Sequence, residues 1–238
     1  MESEIPKREI PKSEEPKDYT RIEPINSSFI KIIDGEEFDV KMQYSLLNME
    51  HAEKCCFIRE EVYEKLLIVQ KNLPEGIKIR ILDAWRPYKL QKELLEKYTE
   101  DIIVRFNLQN KSEQEKKDFV NRFVSEPINN KNYPPVHTTG GAIDLTLLDK
   151  NGNELNMGTD FDEFTSRTYT DYYESGIDTE IRNNRRILYY AMINAGFTNL
   201  PSEWWHYDYG DRFWAFYSGK PAIYKGVFER EEINYNEV

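Results

Sequence analysis

Apolar positions fall at helical spacing through residues 57–72: Val62, Leu66 and Val69 share one side, Leu67 and Ile68 lie alongside, and Lys and Glu fill the gaps. The spacing predicts a helix, ended by Leu73-Pro74-Glu75-Gly76. The period then drops to two, with Ile77, Ile79 and Ile81 alternating with Lys78 and Arg80, which predicts a strand over 77–82. A second helix is expected from Pro87 to about Tyr98. Another is expected over 112–124, where Phe119, Val120, Phe123 and Val124 share a side. Residues 142–148 read as a buried strand, followed by a turn at NGNEL. Residues 178–195 read as a long helix closed by Gly196, and the aromatic run 204–209 as a strand. Residues 30–40 alternate loosely around an Asp34-Gly35 turn signal. There is no internal repeat. Helices and strands do not alternate regularly, which argues for an α+β fold over a doubly wound sheet.

Composition sharpens this picture in a few places. A chain of 238 residues with 39% hydrophobic content suits one good-sized domain. It should bury roughly 70–75% of the surface its unfolded form exposes. No disulfide or metal is needed to fold it, so any metal is there for chemistry. Residues 1–17 repeat Pro, Lys and Glu with little that is apolar, and are expected to form a flexible tail ahead of a single domain over 18–238. The formal net charge of −11 argues against nucleic acid and anionic membranes as partners. No apolar run reaches the roughly 18 residues of a membrane span. Cys55 and Cys56 are adjacent, a poor geometry for a disulfide. They sit in a helix-like stretch and are expected as free thiols of a reducing compartment. With no signal-peptide pattern, the expected location is the cytoplasm, and no obligate protein partner is evident.

Three short stretches carry candidate chemistry. In His137-Thr-Thr-Gly-Gly-Ala-Ile-Asp144 the two polar ends would point to opposite faces of an unbroken strand. A turn or bulge at Gly140-Gly141 can break that parity and let them converge. Asp144 stands in the apolar run AIDLTL, where a lone charge is costly and a metal would offset it. Glu203-Trp204-Trp205-His206 pairs a carboxylate with an imidazole, and Asp83-Ala84-Trp85-Arg86-Pro87 fixes an arginine at a strand exit. Brought together, His137, Asp144 and His206 would make a catalytic zinc set with the fourth position left to water. Glu203 would then be the general base and Arg86 the partner of the developing oxyanion. Each residue alone has a plainer reading: a structural histidine, a capping aspartate, a core aromatic run, a surface ion-pair arginine. His51, in a charged stretch, has only the plainer one.

These motifs resemble those of the VanX-type D-alanyl-D-alanine dipeptidases, zinc enzymes of a larger group that includes D,D-carboxypeptidases and shares its fold with the hedgehog signalling domain. DAWRP is similar to the family's D-[AG]-[YW]-R-P, HTTGGAIDLTL to its H-x-x-G-x-A-[VI]-D-L-T-L, and EWWHYDYG to its E-W-W-H. NMGTDFD at 156–162 and the run NRRILYYAMINAGF resemble further family segments. The resemblance implies a central antiparallel sheet with helices around it and one zinc per chain in a cleft on the sheet. It implies His137, Asp144 and His206 as zinc ligands, Glu203 as base and Arg86 as transition-state partner. It also implies Asp162 as holder of the substrate's amino group, with Tyr44 and Asn48 near the substrate. The implied reaction is hydrolysis of a small D,D-dipeptide to two D-alanines, serving glycopeptide resistance or cell-wall turnover. Pro135 departs from the family's usual Ser two residues before the first histidine, which bears on dipeptide preference. Two alternatives remain: a D,D-carboxypeptidase or cell-wall endopeptidase of the same group, and a non-catalytic metal-binding relative.

Overall fold

The computed structural model describes residues 5–17, 19, 21–120, 127–163, 165–176 and 178–237. Its centre is a five-stranded sheet of β2 (Asp39–Val40), β4 (Lys78–Asp83), β5 (Ala142–Leu148), β7 (His206–Asp208) and β6 (Thr198–Asn199), in the order β2-β4-β5-β7-β6. Neighbours are antiparallel except at the β2 edge, which runs parallel to β4. A smaller sheet sets β1 (Phe29–Ile32) between β3 (Cys56–Arg59) and β8 (Tyr235–Glu237). The expected α+β architecture with a central antiparallel sheet is what the chain forms.

Period-two alternation along β5 separates two jobs. Ile143, Leu145 and Leu147 join the main core with Ile79 and Ile81 of β4, while Asp144 and Thr146 face the other way. Two helices supply the core's other half: α2 (Glu60–Asn72) with Val62, Leu66 and Val69, and α5 (Thr179–Asn194) with Leu188 and Met192. α5 starts at an Asp178 cap, whose carboxylate accepts the Ile181 N–H at 3.1 Å, and ends before Gly196 at φ 94°. A second apolar cluster forms where α3 (Tyr88–Arg105) aligns Leu90, Leu94, Tyr98 and Ile102 on one side. It packs with Tyr44 of the short α1 (Gln43–Leu46) and with Val120 of α4 (Glu113–Val120).

Several expected boundaries move. The helix expected over 57–72 begins at Glu60, because Cys56–Arg59 pairs with β1 and is buried along its whole length. Cys56 therefore lies in a strand and not in a helix, and both cysteines are free thiols. α3 runs on to Arg105, since Ile102 extends its apolar row. The loose alternation over residues 30–40 holds two strands on either side of the Asp34-Gly35 turn, and these, β1 and β2, belong to different sheets. Trp204 and Trp205 form a turn ahead of a shorter strand. Phe123 and Val124, expected on α4, lie outside the described residues.

Residues 5–17 lie against the domain, with Ile10 buried and its N–H donated to Glu174 Oε1 at 3.0 Å. Tyr190 donates to the Glu9 carbonyl at 2.5 Å, and Arg186 to the Lys7 carbonyl at 3.2 Å.

The segment joining α4 to β5 closes with a 3₁₀ turn, Val136–Thr139, and Gly140 at φ 74°. A Cβ on Gly140 would lie 2.4 Å from the Phe29 ring. Gly140→Ala is therefore expected to lower the unfolding free energy by about 2 kcal/mol or more, from left-handed strain plus the clash. Denaturant titration checks this, and an unchanged midpoint would contradict it.

Candidate functional site

The sheet register builds the site. Asp83 of β4 is paired with Asp144 of β5, and Asp144 with His206 of β7. Three polar side chains thus stand in one row on one face of adjacent strands, where cross-strand neighbours come within about 4.5–5.5 Å. His137 enters from the 3₁₀ turn, with the left-handed Gly140 breaking the parity between it and Asp144 as the glycine pair suggested. His137, Asp144 and His206 are each less than 5% exposed, and their donor atoms lie within 4.8 Å of one another.

The tautomers follow from the hydrogen bonds. His137 Nδ1 lies 2.8 Å from the Ala84 carbonyl, which can only accept, so Nδ1 carries the proton and Nε2 keeps its lone pair. His206 Nε2 lies 2.8 Å from Asp208 Oδ1 and carries a proton there, so Nδ1 is the nitrogen turned to Asp144 and His137. His137 Nε2 and His206 Nδ1 face each other at 3.2 Å, with an Arg86 terminal nitrogen also 3.2 Å from His137 Nε2. Asp144 completes the set at 3.0 Å from His206 Nδ1 and 3.4 Å from His137 Nε2. Two lone pairs at that distance repel unless a proton or a metal cation lies between them. Tetrahedral bonds of about 2.0–2.2 Å place donors roughly 3.3–3.6 Å apart, close to what is seen. The donor set therefore fits zinc.

Charge balance points the same way. Burial opposes charge on His206, but Asp208 and Asp144 outweigh it and hold its imidazole pKa well above the usual value, so this negative surrounding draws a cation to Nδ1: a proton, or a metal that displaces it. Burial alone would raise Asp144, but His137 and His206 keep its carboxyl far below the ordinary range. Asp83, buried beside them, is pushed up by desolvation. The cluster has more buried carboxylate than cation, and Arg86 is its one arginine among the described residues.

Arg86 lies 8% exposed, with Nε donating to Asp83, one terminal nitrogen 2.9 Å from Asp144 Oδ2, and the other 3.3 Å from Gln91. Its guanidinium stacks over the Tyr44 ring at 4.9 Å. Glu203 stands at the rim with 30% of its side chain exposed and an oxygen 3.9 Å from His206 Nδ1. The protein atoms crowding its buried side push its carboxyl up to about 8, while His206 and Arg86 pull the other way. A cation in the triad would lower it further.

Asp162 sits on a loop at φ 57°, a strained backbone for a residue with a side chain. One of its oxygens accepts from both Tyr44, at 2.7 Å, and Tyr98. Desolvation raises its carboxyl to about 6. The second oxygen has no hydrogen bond to either phenol. A cavity of about 800 Å³ abuts the site on the same face, lined by Leu82, Tyr98, Thr146, Asp162 and Trp204 among others, without including the triad.

The fold brings together His137, Asp144, His206, Glu203, Arg86, Asp162 and Tyr44. Asn48 is exposed, with a left-handed φ of 54° just after α1, a position that favours asparagine for backbone reasons. Asp83, Tyr98 and Asp208 were missed by sequence reasoning. Asp208 had a signal, because it lies two residues after His206 on a strand and so shares its face. Tyr98 had none, since an aromatic on the apolar row of a helix reads as core.

Asp208→Asn is expected to weaken metal affinity by about 10-fold or more, because the carboxylate that orients His206 is lost. Competition with a chromogenic chelator measures it. Unaltered affinity would mean that Asp208 does not set the tautomer.

The D-ala-D-ala dipeptidase family model matches residues 48–221. A D-alanyl-D-alanine dipeptidase of Synechocystis sp. is 34% identical over 151 residues, covering 58% of this chain and 61% of the relative. One from Escherichia coli K12 is 30% identical over 138 residues, covering 56% and 55%. The matched stretch thus spans under two thirds of either relative. A zinc-bound mutant of the vancomycin-resistance D,D-pentapeptidase VanY aligns at 13% identity and a TM-score of 0.41, covering 73% of this chain and 85% of that one, too distant to carry an argument. Arg86, His137, Asp144, Asp162, Glu203 and His206 all fall within residues 48–221, and the chain belongs to the D-ala-D-ala dipeptidase family.

Proposed function

We propose that this protein is a zinc-dependent dipeptidase that hydrolyses D-alanyl-D-alanine or a closely similar D,D-dipeptide. The observation that carries this reading is the convergence of two imidazole nitrogens and Asp144, with Glu203 and Arg86 beside them, on one face of the sheet. His137, Asp144 and His206 would hold the zinc, which when bound supplies Lewis acidity to the scissile carbonyl and its attacking water.

The chain's own residues do the rest. Glu203, at the exposed rim, accepts the proton of the attacking water and can return it to the leaving amine. Its raised pKa without metal marks a carboxylate whose affinity for a proton can be tuned by the cation. Arg86 presents a fixed guanidinium to the oxyanion that forms as the carbonyl is attacked. Asp83 and Tyr44 hold that guanidinium on two sides. The free oxygen of Asp162 takes the substrate's ammonium group, while the Tyr44 and Tyr98 phenols fix the other.

A small dipeptide satisfies both ends of this arrangement. The cavity beyond Asp162 favours the second reading, cleavage of a longer D,D-peptide whose extension would lie there. No described helix is long and apolar enough to cross a membrane. With two free thiols and a net charge of −11, a cytoplasmic role acting on small wall precursors or fragments is our reading of its setting.

D-alanine release from D-Ala-D-Ala by purified protein tests the proposal. Release that a chelator stops and zinc restores is expected. Cleavage of longer D,D-peptides only would replace it with the second reading. Glu203→Ala is expected to lower kcat by about 10²–10⁴-fold with zinc content intact, because the base is not a ligand; near-normal turnover would remove Glu203 from that role. Arg86→Ala should lower kcat by about 10²-fold or more, with less change in KM. A pure KM effect would instead make Arg86 a ground-state binder.

A further inference from the structure

Arg185, midway along α5, is 2% exposed, and among the described residues no carboxylate pairs with its guanidinium. Desolvation lowers its pKa to about 10. A buried cation without an anion is costly unless its N–H groups are met. Here one loop meets them: Nε donates to the Met157 carbonyl at 2.8 Å, and the two terminal nitrogens to those of Tyr169 and Arg167 at 2.5 and 2.7 Å. The guanidinium also faces the Tyr173 ring at 4.8 Å and the Trp204 ring at 5.9 Å.

That loop carries the site. Met157 and Arg167 bracket Asp162 with its left-handed backbone. Arg167 and Tyr169 flank Thr168, whose carbonyl accepts the Trp204 N–H at 3.1 Å. Thr159 Oγ1 accepts the Trp204 indole N–H at 2.8 Å. Trp204 is the neighbour of Glu203, and Thr170 donates its N–H to the Pro201 carbonyl at 2.9 Å. One fork of donors thus fixes both ends of the Asp162 loop and, through Trp204, the turn holding Glu203.

We infer that Arg185 is a positioning residue for amino-group recognition, templating the loop that aims Asp162 at the substrate's ammonium. The inference rests on the dipeptidase reading above. Lysine cannot replace it, because a compact ammonium does not span three carbonyls arranged for a planar fork.

The test compares kcat and KM for D-Ala-D-Ala and for its N-acetylated form, using the zinc-loaded full chain. Asp162→Asn serves as reference, and thermal melting and zinc content are followed in parallel. Arg185→Lys is expected to raise KM for the free dipeptide by about 10-fold or more while changing kcat/KM for the acetylated form less than about 3-fold, so preference for a free amine narrows. Thr159→Val, which removes only the indole's acceptor, should shift the preference the same way by less. If Arg185→Lys fails to fold, Thr159→Val alone decides. If Asp162→Asn erases the preference but the Arg185 and Thr159 variants keep it, or lose both substrates equally, the inference is overturned and Arg185 is structural. If Asp162→Asn itself keeps the preference, the Asp162 reading fails and the inference falls with it.

Discussion

Asp144 is a fully buried carboxylate in the middle of an apolar sheet, and the rest of the site exists to satisfy it. It is flanked in register by Asp83 and His206 on the neighbouring strands, so the antiparallel pairing of β4, β5 and β7 is itself the site's scaffold. A slip of one residue in either pairing would turn a ligand to the opposite face and put Ile143 or Tyr207 in its place. The core facing α2 and α5 guards against that slip, because Ile143, Leu145 and Leu147 fit only one way. Packing on one face thereby fixes chemistry on the other.

The groups around the triad divide the remaining work. Backbone and carboxylate acceptors at Ala84 and Asp208 determine which imidazole nitrogens turn toward Asp144. Arg86 offsets part of the negative charge and stays fixed by Asp83 and Tyr44, while Glu203 remains at the rim where water can reach it. Asp162 sits apart on a loop, strained and held by two phenols, as suits a group that binds substrate rather than metal.

Much of this was legible in the chain. AIDLTL alternates Ala, Asp and Thr with Ile and Leu, which is why β5 could be read within its true bounds. Asp178 and Gly196 mark the limits of α5 through ordinary capping chemistry. The glycine pair after His137 announced a break in parity. β3 was hidden because Phe57 and Ile58 continue the apolar pattern of the helix behind them, and only pairing with β1 distinguishes the two. Tyr98 and Arg185 were hidden for a related reason: each lies on the buried side of a helix, and what they do depends on a loop distant in sequence. Local pattern reports local structure. It does not report which loop a buried side chain will meet.

The three-strand register and one turn assemble a two-imidazole, one-carboxylate centre with the geometry of a metal site. X-ray absorption at the zinc edge of the loaded protein tests it directly. One zinc per chain with two imidazole nitrogens and oxygen ligands at about 2.0–2.2 Å, and no sulfur, is expected. A thiolate shell at about 2.3 Å, which would implicate Cys55 or Cys56, or a shell of oxygen alone, would contradict it.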